Sequence, residues 1–77
     1  MYITLTIKTG EGTVDIRIDS EQKINEALKV LRDSGKLPHG KNPHYFRSYI
    51  NETLVSAYKT FIEENIFDGD ILTAIDK

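Results

Sequence analysis

Cysteine is absent from the 77-residue chain. Without a thiol there is no disulfide, no iron–sulfur ligation, no zinc–thiolate site and no thiol nucleophile. Such a chain suits a reducing compartment. Long apolar runs are also missing: the opening "MYITLTIKTG" alternates from the start, and no stretch approaches the ~18 apolar residues of a membrane-spanning helix. Neither sign of charge dominates. Ten basic residues face twelve acidic ones, a formal net charge of −2, and the two signs are interspersed. A basic run of the kind that grips nucleic-acid phosphates is therefore lacking. A soluble, cytoplasmic protein with no nucleic-acid partner and no membrane insertion is expected. Proline is scarce, and both copies fall in one stretch, "GKLPHGKNP" (Gly35–Pro43). That stretch has no periodicity and reads as a loop within a single domain, residues 1–77. A domain of this size buries only about 60% of its unfolded-chain surface, so nearly every periodic apolar residue is needed inside.

What the chain does have is periodicity. Ile3, Leu5 and Ile7 alternate with Thr4, Thr6 and Lys8, and Val14, Ile16 and Ile18 alternate with Asp15, Arg17 and Asp19. A period of two marks strands with one buried face. "TGEGT" (Thr9–Thr13) between them has the glycines of a hairpin loop, so the two strands pair antiparallel. The period then changes to that of a helix, with Ile24, Ala27, Leu28 and Leu31 on one stripe. Asp19 or Ser20, with Gln22, offers an N-terminal cap. Gly35 offers a left-handed C-terminal residue and Pro38 blocks continuation, so the helix is expected from about Glu21 to about Ser34.

"HYFRSYI" (His44–Ile50) is aromatic and β-prone. Alternation alone does not say which side faces inward: Phe46 and Ile50 share one face, Tyr45, Arg47 and Tyr49 the other. Phe46 and Ile50 are assigned to the core. "NET" turns the chain into a short strand at Leu54–Val55, "TFIEENI" (Thr60–Ile66) reads as one helical or 3₁₀ turn, and "DGD" leads into a last strand, Ile71–Ile75. The order β-β-α-β-β-β, with the last strand central and parallel to the first, is an α+β β-grasp: a mixed sheet packed on one helix. The core is expected to depend on Ile3, Leu5, Ile16, Leu28 and Leu72.

The element order and the ending "ENIFDGDIL" resemble ubiquitin-like proteins. More narrowly, "VDIRI", "HYFRSYI" and "GDIL" are similar to the YukD/EsaB family. These are small bacterial ubiquitin-like proteins associated with the type VII (ESX/WXG-type) secretion systems of Gram-positive bacteria. The resemblance covers essentially the whole chain and rests on short, mostly structural motifs. It implies an accessory component of a secretion machine, acting by non-covalent protein–protein contacts.

Chemistry is harder to find. Ubiquitin and the bacterial sulfur carriers work through an extended Gly-Gly carboxylate, whereas Asp76 and Lys77 follow Ile75 here. A covalent modifier or sulfur carrier is the alternative reading, and the tail argues against it. His39 and His44 lie five apart across a proline-containing loop with no third ligand beside them, and read as solvated residues rather than a metal pair. "DGD" is too short for a calcium loop. "GEG" and "HGK" lack the spacing of phosphate loops, and no Ser/His/Asp set is visible. No cofactor, no metal and no catalysis are expected. An RNA-binding β-grasp would need a basic stripe, which the balanced charge does not supply. The positive signal is on the outward side of two strands. Tyr45, Arg47 and Tyr49, with Ile71 and Ile75, form the candidate protein-binding surface, since Tyr and Arg anchor many interfaces. Tyr58 is expected to pack, and the exposed strand edges admit weak self-association.

Overall fold

In a computed structural model, which describes residues 1–75, the chain forms β1 (Tyr2–Thr9), β2 (Gly12–Asp19), α1 (Ile24–Asp33), β3 (Tyr45–Ser48), β4 (Leu54–Ser56) and β5 (Ile71–Ile75). One sheet holds all the strands in the order β2-β1-β5-β3-β4. β1 pairs antiparallel with β2, and β5 lies between β1 and β3, parallel to the first and antiparallel to the second. This is the β-grasp expected from the order of periods.

The core is one cluster. Ile3, Leu5, Ile7 and Ile16 from the hairpin meet Ile24, Ala27, Leu28 and Leu31 from the helix, with Phe46, Val55, Phe61, Ile66 and Leu72 closing it. Val14 and Ile18, at the β2 edge, are only partly buried against it.

The helix differs from expectation at its start. It begins at Ile24 rather than Glu21, and Lys23, in the cap position, makes no side-chain cap. Asp19 instead closes a tight turn, its carboxylate accepting from the Glu21 N–H at 3.1 Å. The first free N–H groups of the helix go to distant backbone: Ile24 donates to the Lys59 carbonyl at 3.0 Å and Asn25 to the Ala57 carbonyl at 2.8 Å. Tertiary contact thus does what a capping side chain otherwise does. The other end is as read from the sequence. Gly35 has φ +80°, with Lys36 N–H on the Leu31 carbonyl and Gly35 N–H on the Arg32 carbonyl, a Schellman ending.

Arg32, buried on the helix, ties down the loop that follows. Its guanidinium donates to the Pro38 carbonyl at 2.6 Å and the Lys41 carbonyl at 2.9 Å, and lies 3.8 Å from Glu11 in the hairpin loop. At Gly40 an added Cβ would stand 2.4 Å from the end of the Glu11 side chain, which would have to swing away from Arg32 to admit it.

The Thr60–Ile66 turn carries a device that its sequence spells as T-x-x-E. Thr60 N–H donates to the Glu63 carboxylate at 2.9 Å and Glu63 N–H donates to the Thr60 hydroxyl at 3.1 Å, a reciprocal capping box. Asn65 at φ 60° ends the turn, with Ile66 N–H on the Phe61 carbonyl. Phe61 and Ile66 enter the core, while Ile62 stays exposed. The Thr60 N–H holds the Glu63 carboxyl below its usual range, with a smaller contribution from the Thr60 hydroxyl. Because the folded pKa is lowered, the stabilisation is present above the usual glutamate range and is lost as pH falls through the lowered value. Glu63→Gln keeps an acceptor but not the charge. Thermal melts across an acid series should show wild type above Glu63→Gln at neutral pH, with the gap closing as the carboxylate protonates. A gap that stays constant with pH would contradict this assignment.

Candidate protein-binding face

The outer face of the sheet is set by register. On β3 and β5, Tyr45 lies opposite Ile75 and Arg47 opposite Thr73. One step further, Tyr49 N–H donates to the Ile71 carbonyl at 3.0 Å, so the pairing continues past the end of β3. Residues opposite one another in an antiparallel pair share a face. The residues proposed from sequence, Tyr45, Arg47, Tyr49, Ile71 and Ile75, therefore come together as adjoining rows on one surface. Tyr49 is 72% exposed, and Ile71 and Ile75 are half-buried.

Two further residues join the face that strand alternation did not pick out. Leu54, 59% exposed, lies opposite Arg47 on β4, and Lys8 lies opposite Thr73 on β1. The alternation around Lys8 placed its side chain outward, but its neighbour on β5 follows only from the parallel register. For Leu54 the strand is too short for alternation to orient it. The resulting face is apolar and aromatic around two cations. Neither Arg47 nor Lys8 has an ion-pair partner among the described residues.

The turn after β3 corrects the expected core. Ile50 is 56% exposed, not buried. Inward alternation stops at Ser48, whose side chain is buried and donates to the Asp70 carboxylate at 2.5 Å. The chain then folds back through Glu52 at φ 56°, with Ser48 N–H on the Thr53 carbonyl at 2.9 Å. Asp70, 1% exposed, also accepts from the N–H groups of Ile50 at 3.1 Å and Ile71 at 2.7 Å. Burying that carboxylate is sustained by satisfying it on three sides, and the polar pair takes the place that Ile50 would have filled. "DGD" is thus more than a turn. Asp68 accepts from the Thr4 N–H at 2.7 Å, Gly69 has φ +86°, and Asp70 anchors the segment bearing Tyr49. Beside it lies a shallow depression of about 480 Å³ lined by Arg47, Ser48, Tyr49, Ile50 and Glu52.

A second cleft, of about 660 Å³, runs between α1 and the loop after it, with His39, His44 and Tyr58 on its walls. His44 Nδ1 is hydrogen-bonded to the Tyr58 hydroxyl and the rings stack 5.6 Å apart. Tyr58 therefore packs at the surface rather than in the core. Among the described residues, no group of three or more His, Asp or Glu side chains is placed to hold a metal ion, and no helix is long and apolar enough to cross a membrane. Asp76 and Lys77, on which the argument against conjugation rests, lie outside the described residues.

No family model matches the sequence, and no curated protein matches it. Solved structures do. A de novo design based on ubiquitin is 21% identical, with 96% of this chain aligned to 87% of that one at a TM-score of 0.67. The ubiquitin-like domain of EccD5 from Mycobacterium xenopi is 17% identical, with 100% of this chain aligned to 98% of that one at a TM-score of 0.50. Likeness at these identities is a likeness of fold: the chain has the ubiquitin-like β-grasp fold.

Proposed function

We propose that this chain is a non-catalytic ubiquitin-like adaptor that binds protein partners through the β3–β5 face, and that it serves a type VII secretion machine from the cytoplasmic side. The observation that carries the binding role is the rows Tyr45·Ile75, Arg47·Thr73 and Tyr49·Ile71, which gather aromatic, aliphatic and cationic side chains on one exposed surface. Large aromatic and Arg side chains of this kind supply most of the energy of protein interfaces. The assignment to secretion is supported by the resemblance of "VDIRI", "HYFRSYI" and "GDIL" to the YukD/EsaB family, and the fold shared with the EccD5 ubiquitin-like domain is consistent with it.

The test is binding to the components encoded beside this protein, by pull-down and calorimetry. Truncating a buried interface anchor costs about 2 kcal/mol or more. Arg47→Ala and Tyr49→Ala should therefore each weaken binding roughly thirtyfold or more. Both side chains point away from the core, so thermal melts should move little. Normal melting with normal binding would remove the face from consideration and leave the α1–loop cleft as the next candidate.

A further inference from the structure

The sheet has two free edges, and they are treated differently. β4 is short, Leu54–Ser56, and its outward N–H at Ser56 is taken by the Glu64 carboxylate at 2.6 Å. β2 runs unbroken over Gly12–Asp19, in continuous register with β1 and with no proline. Its free groups can be identified. Thr4 and Thr6 turn their peptide groups toward β5: Thr4 N–H reaches Asp68, its carbonyl accepts from Gly69, and Thr6 N–H reaches the Asp70 carbonyl. By alternation Ile3, Leu5 and Ile7 bond to β2, through their opposite numbers Ile18, Ile16 and Val14. The N–H and C=O groups of Thr13, Asp15 and Arg17 then point off the sheet. None of those N–H groups has a hydrogen-bond partner among the described residues. A long, unblocked edge is a template for another strand.

The side chains on that edge say which strand. We propose that β2 pairs antiparallel with β2 of a second copy of this chain, about a two-fold axis through Ile16. Only residues whose peptide groups face outward can form the bonded pairs, so the register must match odd-numbered residues with odd-numbered ones. Centring on Asp15 sets Asp15 against Asp15. Centring on Arg17 sets Arg17 against Arg17 and Asp15 against Asp19. Centring on Val14 sets Asp15 against Thr13 and Arg17 against Glu11, which lies outside β2 and already stands 3.8 Å from Arg32. Centring on Ile18 sets Arg17 against Asp19 but overlaps the two β2 strands only from Arg17 to Asp19. Centring on Ile16 sets Asp15 against Arg17 twice, once on each side of the axis, and overlaps the strands from Thr13 to Asp19. Opposite charges directly across an antiparallel pair stabilise it and like charges oppose it, so the charge pattern is complementary to itself in this register. The same register places Val14 against Ile18 on the core side. Those two residues are the β2 apolar side chains that the single domain leaves only partly buried. Asp15 and Arg17 now turn toward their own sheet, Asp15 accepting from the Thr6 hydroxyl at 2.5 Å and Arg17 lying 5.4 Å from the Tyr2 ring centroid. Both are exposed and can reach across the edge by side-chain rotation. The pairing leaves the β3–β5 face uncovered, so it stands separately from the binding role proposed for that face.

The experiment is sedimentation velocity from micromolar to millimolar concentration on wild type, Asp15→Arg and Arg17→Asp. Wild type should show a reversible monomer–dimer equilibrium. Each single charge reversal makes two attractive pairs repulsive and should weaken the dimer roughly tenfold or more, with unchanged thermal melts. An equimolar mixture of the two variants restores Asp-against-Arg pairing at both positions, and should form a heterodimer as strong as the wild-type dimer. In amide exchange, protection at Thr13, Asp15 and Arg17 should rise with wild-type concentration. A wild type that stays monomeric to millimolar concentration overturns the proposal and leaves the edge to a strand from a different protein. Association that survives both reversals, or a mixture that forms no heterodimer, overturns it in favour of another surface.

Discussion

Phe46→Ala should leave a protein that is substantially unfolded at room temperature, while Tyr45→Ala, one residue earlier, should melt close to wild type. Phe46 is completely buried and lies at the centre of the narrow half of the sheet, opposite Ala74 on β5 and Val55 on β4. Truncating a buried Phe costs about 3–5 kcal/mol, the sum of lost transfer energy and an unfilled cavity. The core of a domain this small rarely supplies more than about 3–5 kcal/mol of net stability. One substitution therefore consumes most of what is there. Tyr45 occupies the opposite face, among side chains that face solvent. Urea or thermal unfolding followed by circular dichroism reads both variants, and the contrast measures the orientation of β3, which alternation alone does not determine. A stable Phe46→Ala with an unfolded Tyr45→Ala would mean that the strand faces the other way, and the proposed binding face would go with it.

Asp70→Ala is the second large effect, and it comes from a polar residue. The change removes the acceptor for the Ser48 hydroxyl, the Ile50 N–H and the Ile71 N–H together. A buried donor left unpaired costs about 1–3 kcal/mol, and the bonds lost here run to a carboxylate, the stronger class. A total of about 3 kcal/mol or more is expected. Asp70→Asn retains one oxygen acceptor, and Ser48 can turn its hydroxyl to accept from the new amide, so its loss should be smaller. The expected order of midpoints is Asp70, then Asn, then Ala. Ser48→Ala should also destabilise, since the Ser48 hydroxyl accepts the Asn51 N–H at 3.2 Å. Asp70→Ala should further reduce partner binding in whatever fraction remains folded, because the Tyr49 turn loses its anchor. An Asp70→Ala protein with the wild-type midpoint would show that the buried carboxylate is incidental.

These two residues mark where reading the chain succeeds and where it stops. The β1–β2 hairpin, the helical stripe from Ile24 to Leu31, the Gly35 ending and the parallel placement of β5 are all legible as periodicity and local turn chemistry. Each is a relation between residues a few positions apart, or follows from such relations by the handedness of chain crossings. Ile3, Leu5, Ile16, Leu28 and Leu72 are buried as their periods require. The candidate face was legible in composition and alternation, so Tyr45, Arg47, Tyr49, Ile71 and Ile75 could be named.

Their arrangement as neighbouring rows was decided by the register of strands up to thirty positions apart, as with Tyr45 and Ile75. Leu54 and Lys8 joined them for the same reason. The start of α1 moved because carbonyls of Ala57 and Lys59 reach its first N–H groups, which no residue near Asp19 announces. Ile50 and Ser48 exchanged the places that hydropathy assigns them, because a carboxylate 22 positions beyond Ser48 is buried beside it and must be satisfied there. Alternation is a relation between residues two positions apart and says only which side of a strand can be buried. The hydrogen bonds that let a carboxylate be buried beside Ser48 exist only once the distant strands have met.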